Sequence, residues 1–414
     1  MNDIVITGIG AMTPVGNDRE TTWRNLLHGN SGIGAITLFD PEAGATGFAG
    51  EVKGYDPAQL FDAKRAVRAS RFVGFAVAAA REAVRDAGLE VTAANSDRIG
   101  VVLNSAVAGF DTIEGATRRL LTEGAVEPRS YFVPYSLANM PACEVAIDLG
   151  IHGPVTSSVL ACASGLYALI EARRLILSGE ADVVVCGGAD APVTPVLMSG
   201  LAAMGALSRR NDKPQHASRP FSADRDGMVL GEGAVVLVLE SRAHAARRAA
   251  LPYATFAGGS LTCDGFHVSA PAPEGTYAAA AMTRALAAAE VTAAEVDYLC
   301  AHGTSTPAND RIETAAVKRA LGEHARTVPM SSPKSTTGHL FAAAGALNAM
   351  VCALSIRDGI VPPTINLDVA DPDCDLDYVP GLAREITVET AVANAFGFGG
   401  QNCAAVFTAA HRAR

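Results

Sequence analysis

Residues 91–104 read VTAANSDRIGVVLN, and residues 291–304 read VTAAEVDYLCAHGT. Each segment follows an Ala-rich helical stretch and leads into a short apolar run. An acidic residue, Asp97 or Asp297, stands just before each run. A second echo pairs SSVLACASG at 157–165 with SSPKSTTG at 331–338. Both begin with two serines after an apolar run and enter a helix of small residues. Two echoes in the same order argue for an internal duplication. The first pair is offset by 200 residues and the second by 174, so the first half carries extra material around residues 105–150.

Working outward from the echoes, short β-branched runs alternate with Ala-rich helical stretches. Strands are predicted from Ile4, over Ile99–Leu103, Val183–Cys186 and Ala234–Leu239. Residues 72–88, FVGFAVAAAREAVRDAG, have helical spacing and stop at Gly88, a natural C-cap. The alternation predicts an α/β fold with helices covering sheets. It divides as two pseudo-equivalent halves, 1–250 and 251–414. The joint, ESRAHAARRAALPYATF, holds no Gly/Ser-rich linker, so the halves are expected to pack tightly.

The chain of 414 residues is long enough for two such units, and only 18% of it is charged, which argues against disorder. A net charge of −10 argues against a nucleic-acid surface, which needs concentrated Lys and Arg. The local clusters Arg65, Arg68, Arg71 and Arg209, Arg210 read as solvated faces. Eight scattered cysteines form no CxxC pair, against the common zinc and thioredoxin spacings. They read as reduced thiols and suggest a cytoplasmic protein. The N-terminus lacks the basic start and unbroken apolar run of a signal peptide. No stretch reaches the ~18 apolar residues of a membrane span.

Three segments carry chemistry. In VLACASGLYALIEA an apolar run ends at Leu160, and Cys162 sits among small residues at a strand-turn-helix corner, the logic of a nucleophile elbow. A helix N-terminus there would lower the thiol pKa. A buried structural cysteine is an equal reading of that segment alone. In YLCAHGTSTPANDRIE a strand delivers His302 to a hydroxyl-rich loop. In VPMSSPKSTTGHLFAAAG, Gly338 and His339 are read as opening a helix, with Lys334 five residues earlier. The duplication brings Cys162 and His339 to equivalent helix starts that would meet at the pseudo-twofold axis. Near the C-terminus NAFGFGGQN places Gly397, Gly399 and Gly400 around Phe398, which allows unusual backbone angles and close approach of a substrate.

Together ACASG, AHGTSTPAND, SSPKSTTGH and FGFGGQN resemble the motif set of the β-ketoacyl synthases. The pattern is similar to β-ketoacyl-acyl carrier protein synthase II and to the ketosynthase subunits of type II polyketide synthases. The likeness runs from VITGIGAMTPVG to the last strand, through FVPYSLANM, RNDKPQHASRPFSADRDGMVLGEGA and VPPTINLDVADPDCDLDYVP. It implies a thiolase-like fold, two βαβαβαββ halves in five layers αβαβα. It implies a condensing acyltransferase of fatty acid or polyketide biosynthesis with no metal and no organic cofactor, its substrates carried on the phosphopantetheine arm of acyl carrier protein. It also implies a dimer, either a homodimer or a heterodimer with a chain-length factor. By the same resemblance Cys162 is the nucleophile, and His302 and His339 stabilise an enolate. Backbone N–H groups of Cys162 and Phe398 form an oxyanion hole, and Phe398 also gates the site. Lys334 and Glu313 form a buried ion pair that orients the histidines. Thr304, Thr306 and Ser269 hold the pantetheine arm, and Gly399 lies beside the substrate. Leu160 stands where the family often has Thr, and Gln401 where it has Thr or His; both bear on acyl-chain preference.

Other readings are weaker. A non-condensing chain-length factor lacks the nucleophile that Cys162 supplies. A coenzyme A thiolase needs a second Cys in its C-terminal loop, where this chain has Phe398 and an out-of-place Cys403. A Cys-His hydrolase needs a base oriented by Asn or Asp. A zinc site built from Cys162, His302 and His339 is weaker still.

Overall fold

In the computed structural model, which describes residues 3–42, 45–124 and 131–411, the frame is one pattern laid down twice. The first series runs β1 (Ile4–Met12), α1 (Arg71–Asp86), β2 (Ile99–Asn104), α2 (Met140–Leu149), β3 (Val155–Thr156), α3 (Ser164–Leu177), β4 (Val183–Asp190) and β5 (Gly233–Ser241). The second runs β6 (Ala254–Cys263), α4 (Thr276–Ala288), β7 (Tyr298–Cys300), α5 (Pro307–Leu321) and β8 (Met330–Ser331). It continues with α6 (Lys334–Thr337), α7 (Ala342–Asp358), β9 (Thr390–Gly397) and β10 (Gln401–Thr408). The inserted stretch of the first half adds helices at Phe110–Glu123 and Phe132–Ser136, and residues 125–130 within it lie outside the described residues.

The strands hydrogen-bond in the order β3-β2-β4-β5-β1-β6-β10-β9-β7-β8, which reads as the same arrangement from either edge. In each series the pairings β2–β3 and β2–β4, or β7–β8 and β7–β9, are parallel, and the remaining ones antiparallel. The two five-stranded sheets are joined through the short pairing of β1 with β6 at Val5–Thr255 and Ile6–Ala254.

Why five layers form is written in the alternation of side chains. Val183, Val185, Val236 and Val238 point outward into a core shared with α1. Their neighbours Val184, Cys186, Val235 and Leu237 point inward, to a central core shared with α3 and α7. The second sheet does the same: Val392, Ala404 and Val406 face α4, while Ala391, Ala393, Ala405 and Phe407 face the centre. A sheet covered on both faces needs apolar residues at every position. A helix between two sheets must be apolar all round, and α7 is buried continuously from Ala342 to Ser355. The result is the α-β-α-β-α sandwich of the thiolase-like class.

One expected boundary was too short. The strand at Val183–Cys186 continues to Asp190 through Gly187 and Gly188, which sequence alone reads as a stop. They are packing glycines: a Cβ on Gly187 would lie 2.0 Å from the Val235 carbonyl oxygen, and one on Gly188 2.7 Å from the Ala342 backbone. The arginine clusters are also more than solvated faces. Arg65 bonds Glu144 and Asp148, Arg71 bonds Glu232, and Arg210 bonds Asp224. All eight cysteines are unpaired. Among the described residues no helix is long and apolar enough to cross a membrane.

Candidate active site

A sharp turn presents Cys162. β3 gives way to an extended segment, and residues Ala161–Ala163 form a single 3₁₀ turn before α3. Ala161 has φ +46°, a left-handed conformation disfavoured for a residue with a Cβ. The Ser164 hydroxyl locks this turn: it accepts from Leu160 N at 2.8 Å and donates to the Ala161 carbonyl at 2.7 Å. Gly165 lets α3 abut α7, because a Cβ there would sit 2.0 Å from the Ala342 carbonyl oxygen. The first turns of the two central helices therefore touch, as the duplication predicts.

Cys162 lies in the wall of a cavity of about 360 Å³ whose lining includes His302, His339, Thr304, Thr306, Ser269 and Phe398. The rings of His302 and His339 stand 5.4 Å apart at 81°. Both are buried and both are held well below the ordinary histidine range. Burial is the main cause for each; Lys334 adds to it in both, and His339 adds to it at His302. They are thus neutral rings at neutral pH. His339 Nδ1 accepts from Phe341 N at 3.1 Å, so its proton sits on Nε2. Among the described residues that Nε2 has no hydrogen-bond partner, and neither has His302 Nδ1. A buried N–H without a partner is a donor held ready for a ligand.

His339 does not open a helix, as the sequence suggested. It occupies a connection between α6 and α7, and α7 begins only at Ala342, after Phe341 with φ +52°. Its backbone is pinned instead to the GMVLGEGA segment, donating to the Val229 carbonyl at 2.7 Å and accepting from Gly231 N at 3.0 Å. The ring orientation therefore comes from a neighbouring loop rather than from a helix end.

The expected ion pair between Lys334 and Glu313 does not form. Both are buried, but they make no salt bridge with each other, and among the described residues Lys334 Nζ has no hydrogen-bond partner. Glu313 is occupied by backbone donors: His302 N at 2.8 Å and Gly303 N at 2.7 Å, with Asn394 Nδ2 at 3.1 Å. It anchors the loop that carries His302 directly. Lys334 acts through its field: burial lowers its own pKa, and its charge opposes protonation of both histidines.

The expected depression of the Cys162 thiol is also corrected. Burial pushes it up to about 12, against the pull of Lys334 and of the N–H groups of Phe398 and Cys162 itself, with Asp190 adding to the rise. Those two N–H groups beside the sulfur are the arrangement an oxyanion hole requires.

Phe398 is 37% exposed in a loop latched to the end of β6. Gly399 N donates to the Val268 carbonyl at 2.9 Å, and Asp264 N to the Gly400 carbonyl at 2.8 Å. Gly399 therefore shapes the loop with φ +85°, while Gly397 and Gly400, not Gly399, line the cavity. The Thr304 and Thr306 hydroxyls are 2.9 Å apart on the cavity wall, and Thr306 caps α5.

Sequence reading missed Asp190. It is fully buried at the end of β4 and accepts from Ser105 Oγ at 2.5 Å, Ala106 N at 3.0 Å, Val107 N at 3.1 Å and Ala342 N at 2.8 Å. It ties the loop after β2 to the first turn of α7. Its only signal was an acid closing an apolar strand. Among the described residues no cluster of three or more His, Cys, Asp or Glu side chains is arranged to hold a metal ion.

With this geometry in view, the profile described as the β-ketoacyl synthase N-terminal domain matches residues 1–245, and that of the C-terminal domain matches 253–368. The chain belongs to the β-ketoacyl synthase family. Among curated members of that family, it is 45% identical to a 3-oxoacyl-[acyl-carrier-protein] synthase 2 from Synechocystis, over 98% of this chain and 97% of the relative. Among solved members, it resembles a type II polyketide ketosynthase in complex with its acyl-carrier protein and bound to the hexaketide. That match has TM-score 0.91 and 34% identity and covers 99% of each chain. The ishigamide ketosynthase/chain length factor matches with TM-score 0.92, 34% identity and 99% coverage of each chain.

Proposed function

We propose that this chain lengthens acyl groups by decarboxylative Claisen condensation on acyl carrier protein, with Cys162 as the acyl acceptor. The observation that carries the reading is one cavity holding a buried thiol beside two backbone N–H groups and two neutral histidines. In the first step the Cys162 sulfur bonds the acyl carbon, and the pantetheine sulfur leaves and takes the proton. The N–H groups of Cys162 and Phe398 bind the oxyanion that forms between. Malonyl-carrier protein follows, its arm along Thr304, Thr306 and Ser269. The bond to its carboxylate breaks, carbon dioxide leaves, and the electron pair becomes an enolate. His339 Nε2–H and the His302 ring donate to the enolate oxygen. The enolate carbon then attacks the acyl thioester, a C–C bond forms, the C–S bond breaks, and Cys162 leaves as thiolate and regains its proton from water. Phe398 swings between the two substrates as a gate. Lys334 and Glu313 are positioning residues, and neither a metal nor an organic cofactor takes part.

Neutral histidines suit this chemistry because they donate hydrogen bonds without quenching the carbanion by proton transfer. The partners we assign are acyl carrier protein and a second subunit, in the cytoplasm. Similarity at 45% identity to a 3-oxoacyl-[acyl-carrier-protein] synthase 2 favours a fatty acid role, for which we assign a homodimer. A second reading, a polyketide ketosynthase paired with a chain-length factor, is favoured by the structural likeness to such a pair. The test is to incubate the purified protein alone with acyl- and malonyl-carrier protein. A β-keto product two carbons longer supports the first reading. Acylation without extension supports the second. No acyl adduct with any chain overturns both.

A further inference from the structure

Behind His302 the cavity wall rests on a series of buried amides. Asn348 lies in the middle of α7, fully buried among Ala, Leu and Met. Its Nδ2 donates twice, to the Ala301 carbonyl and to the Asn394 carbonyl, both at 2.9 Å. Ala301 immediately precedes His302. Asn394 stands in β9, four residues before Phe398. The Asn394 side chain continues the series to Glu313, which holds the His302 and Gly303 N–H groups. Asn348 Oδ1 has no hydrogen-bond partner among the described residues. An amide kept at a helix centre with one polar atom unsatisfied is costly, and Leu would suit that core better on packing grounds alone. What the amide supplies is a bridge between two adjacent strand ends at the point where both turn into the cavity.

We infer that Asn348 is a positioning residue for His302: by clasping the carbonyls of Ala301 and Asn394 across β7 and β9, it fixes the strand end from which the His302 ring enters the cavity. The inference rests on the reading of His302 as an enolate donor. It predicts a division of effects. Acylation of Cys162 uses the elbow and the backbone N–H donors of Cys162 and Phe398, with no step assigned to the His302 ring. Decarboxylation of malonyl-carrier protein uses His302.

The experiment compares wild type, Asn348→Leu, the isosteric Asn348→Asp and His302→Ala, each also scored for folding by circular dichroism. Asn348→Leu is expected to slow decarboxylation on the order of 100-fold, the scale of a ~1 Å misplacement, with acylation of Cys162 within about threefold of wild type. Adding Asn348→Leu to His302→Ala is expected to lower decarboxylation no further, because the first residue acts through the second. Asn348→Asp, which keeps the shape and loses the donors, is expected to reproduce the split. Wild-type decarboxylation in the folded variants, equal loss in both steps, or multiplicative effects would overturn the inference. The imidazole ¹⁵N resonances of His302 provide a readout without turnover. If wild type fails to decarboxylate at all, the functional reading fails, while an unmoved His302 resonance in Asn348→Leu sinks this inference by itself.

Discussion

Glu313 is the place where the loop bearing His302 is most exposed to a one-atom change. Its Oε1 accepts from His302 N and Asn394 Nδ2, and its Oε2 from Gly303 N. Every partner is a donor. Glu313→Gln preserves volume and can keep the two bonds at one oxygen. The new amide nitrogen then faces the Gly303 N–H, donor against donor. Leaving a buried donor unsatisfied costs about 1–3 kcal/mol, and losing the charge from the two remaining bonds adds roughly 1 kcal/mol. Against this, burial already raises the Glu313 pKa, so neutralising the side chain returns part of the desolvation cost. The balance is a net loss of about 1–3 kcal/mol, or a few degrees in melting temperature. Function should suffer more than stability, because the loop moves with His302 on it. Decarboxylation of malonyl-carrier protein is expected to fall by about 100-fold. The assay is carbon dioxide release, followed beside thermal melting of the same preparation. A Glu313→Gln protein that melts and decarboxylates like wild type would refute the anchoring role.

Three further outcomes are expected. His339→Ala removes the Nε2–H donor and should cut decarboxylation by about 100–1,000-fold while leaving acylation of Cys162 measurable, as burst kinetics would show; equal loss in both steps would count against its role. Gly165→Ala should destabilise the fold by about 3 kcal/mol or more, since its Cβ would enter the Ala342 carbonyl; a melting temperature within a degree of wild type would contradict the contact. The third concerns pH. Burial lowers the pKa of both histidines, so their neutral, donating form persists as pH falls through 6.5 and is lost only well below it. The imidazoles of His302 and His339 should therefore show no titration near pH 6.5 by NMR, whereas burial raises the Asp190 carboxyl to about 6; an imidazole titrating near 6.5 would mean that a histidine is exposed to water in the working enzyme.

The sequence displayed what is local or repeated. The two echoes marked equivalent strands, and the alternation of apolar runs with Ala-rich stretches marked an α/β fold; the five layers came from the family resemblance. Cys162 stood out because a strand, small residues and a helix follow one another directly. The clustering of Cys162, His302, His339 and Phe398 at one cavity was legible from their motifs, and the structure adds the distances. What escaped depends on partners far along the chain. Asp190 gathers donors from residues 105–107 and from Ala342, and Asn348 bridges Ala301 and Asn394. No periodicity announces such contacts. Lys334 and Glu313 were expected to pair on the family resemblance alone. Backbone N–H groups saturate Glu313 first. Helix-start reasoning failed at His339 for a similar reason: the preceding loop, fixed by Val229 and Gly231, decides where α7 begins. The Cys162 thiol was expected to be low from its place before a helix, and burial proved the larger effect.

The most direct test of the central claim is to locate the acyl group. Wild-type protein, Cys162→Ala and His302→Ala are incubated with acyl-carrier protein, digested and read by peptide mass spectrometry. One acyl group on the peptide containing Cys162, present in wild type and His302→Ala and absent in Cys162→Ala, is the result predicted here. Acylation at another residue, or persisting in Cys162→Ala, would contradict it.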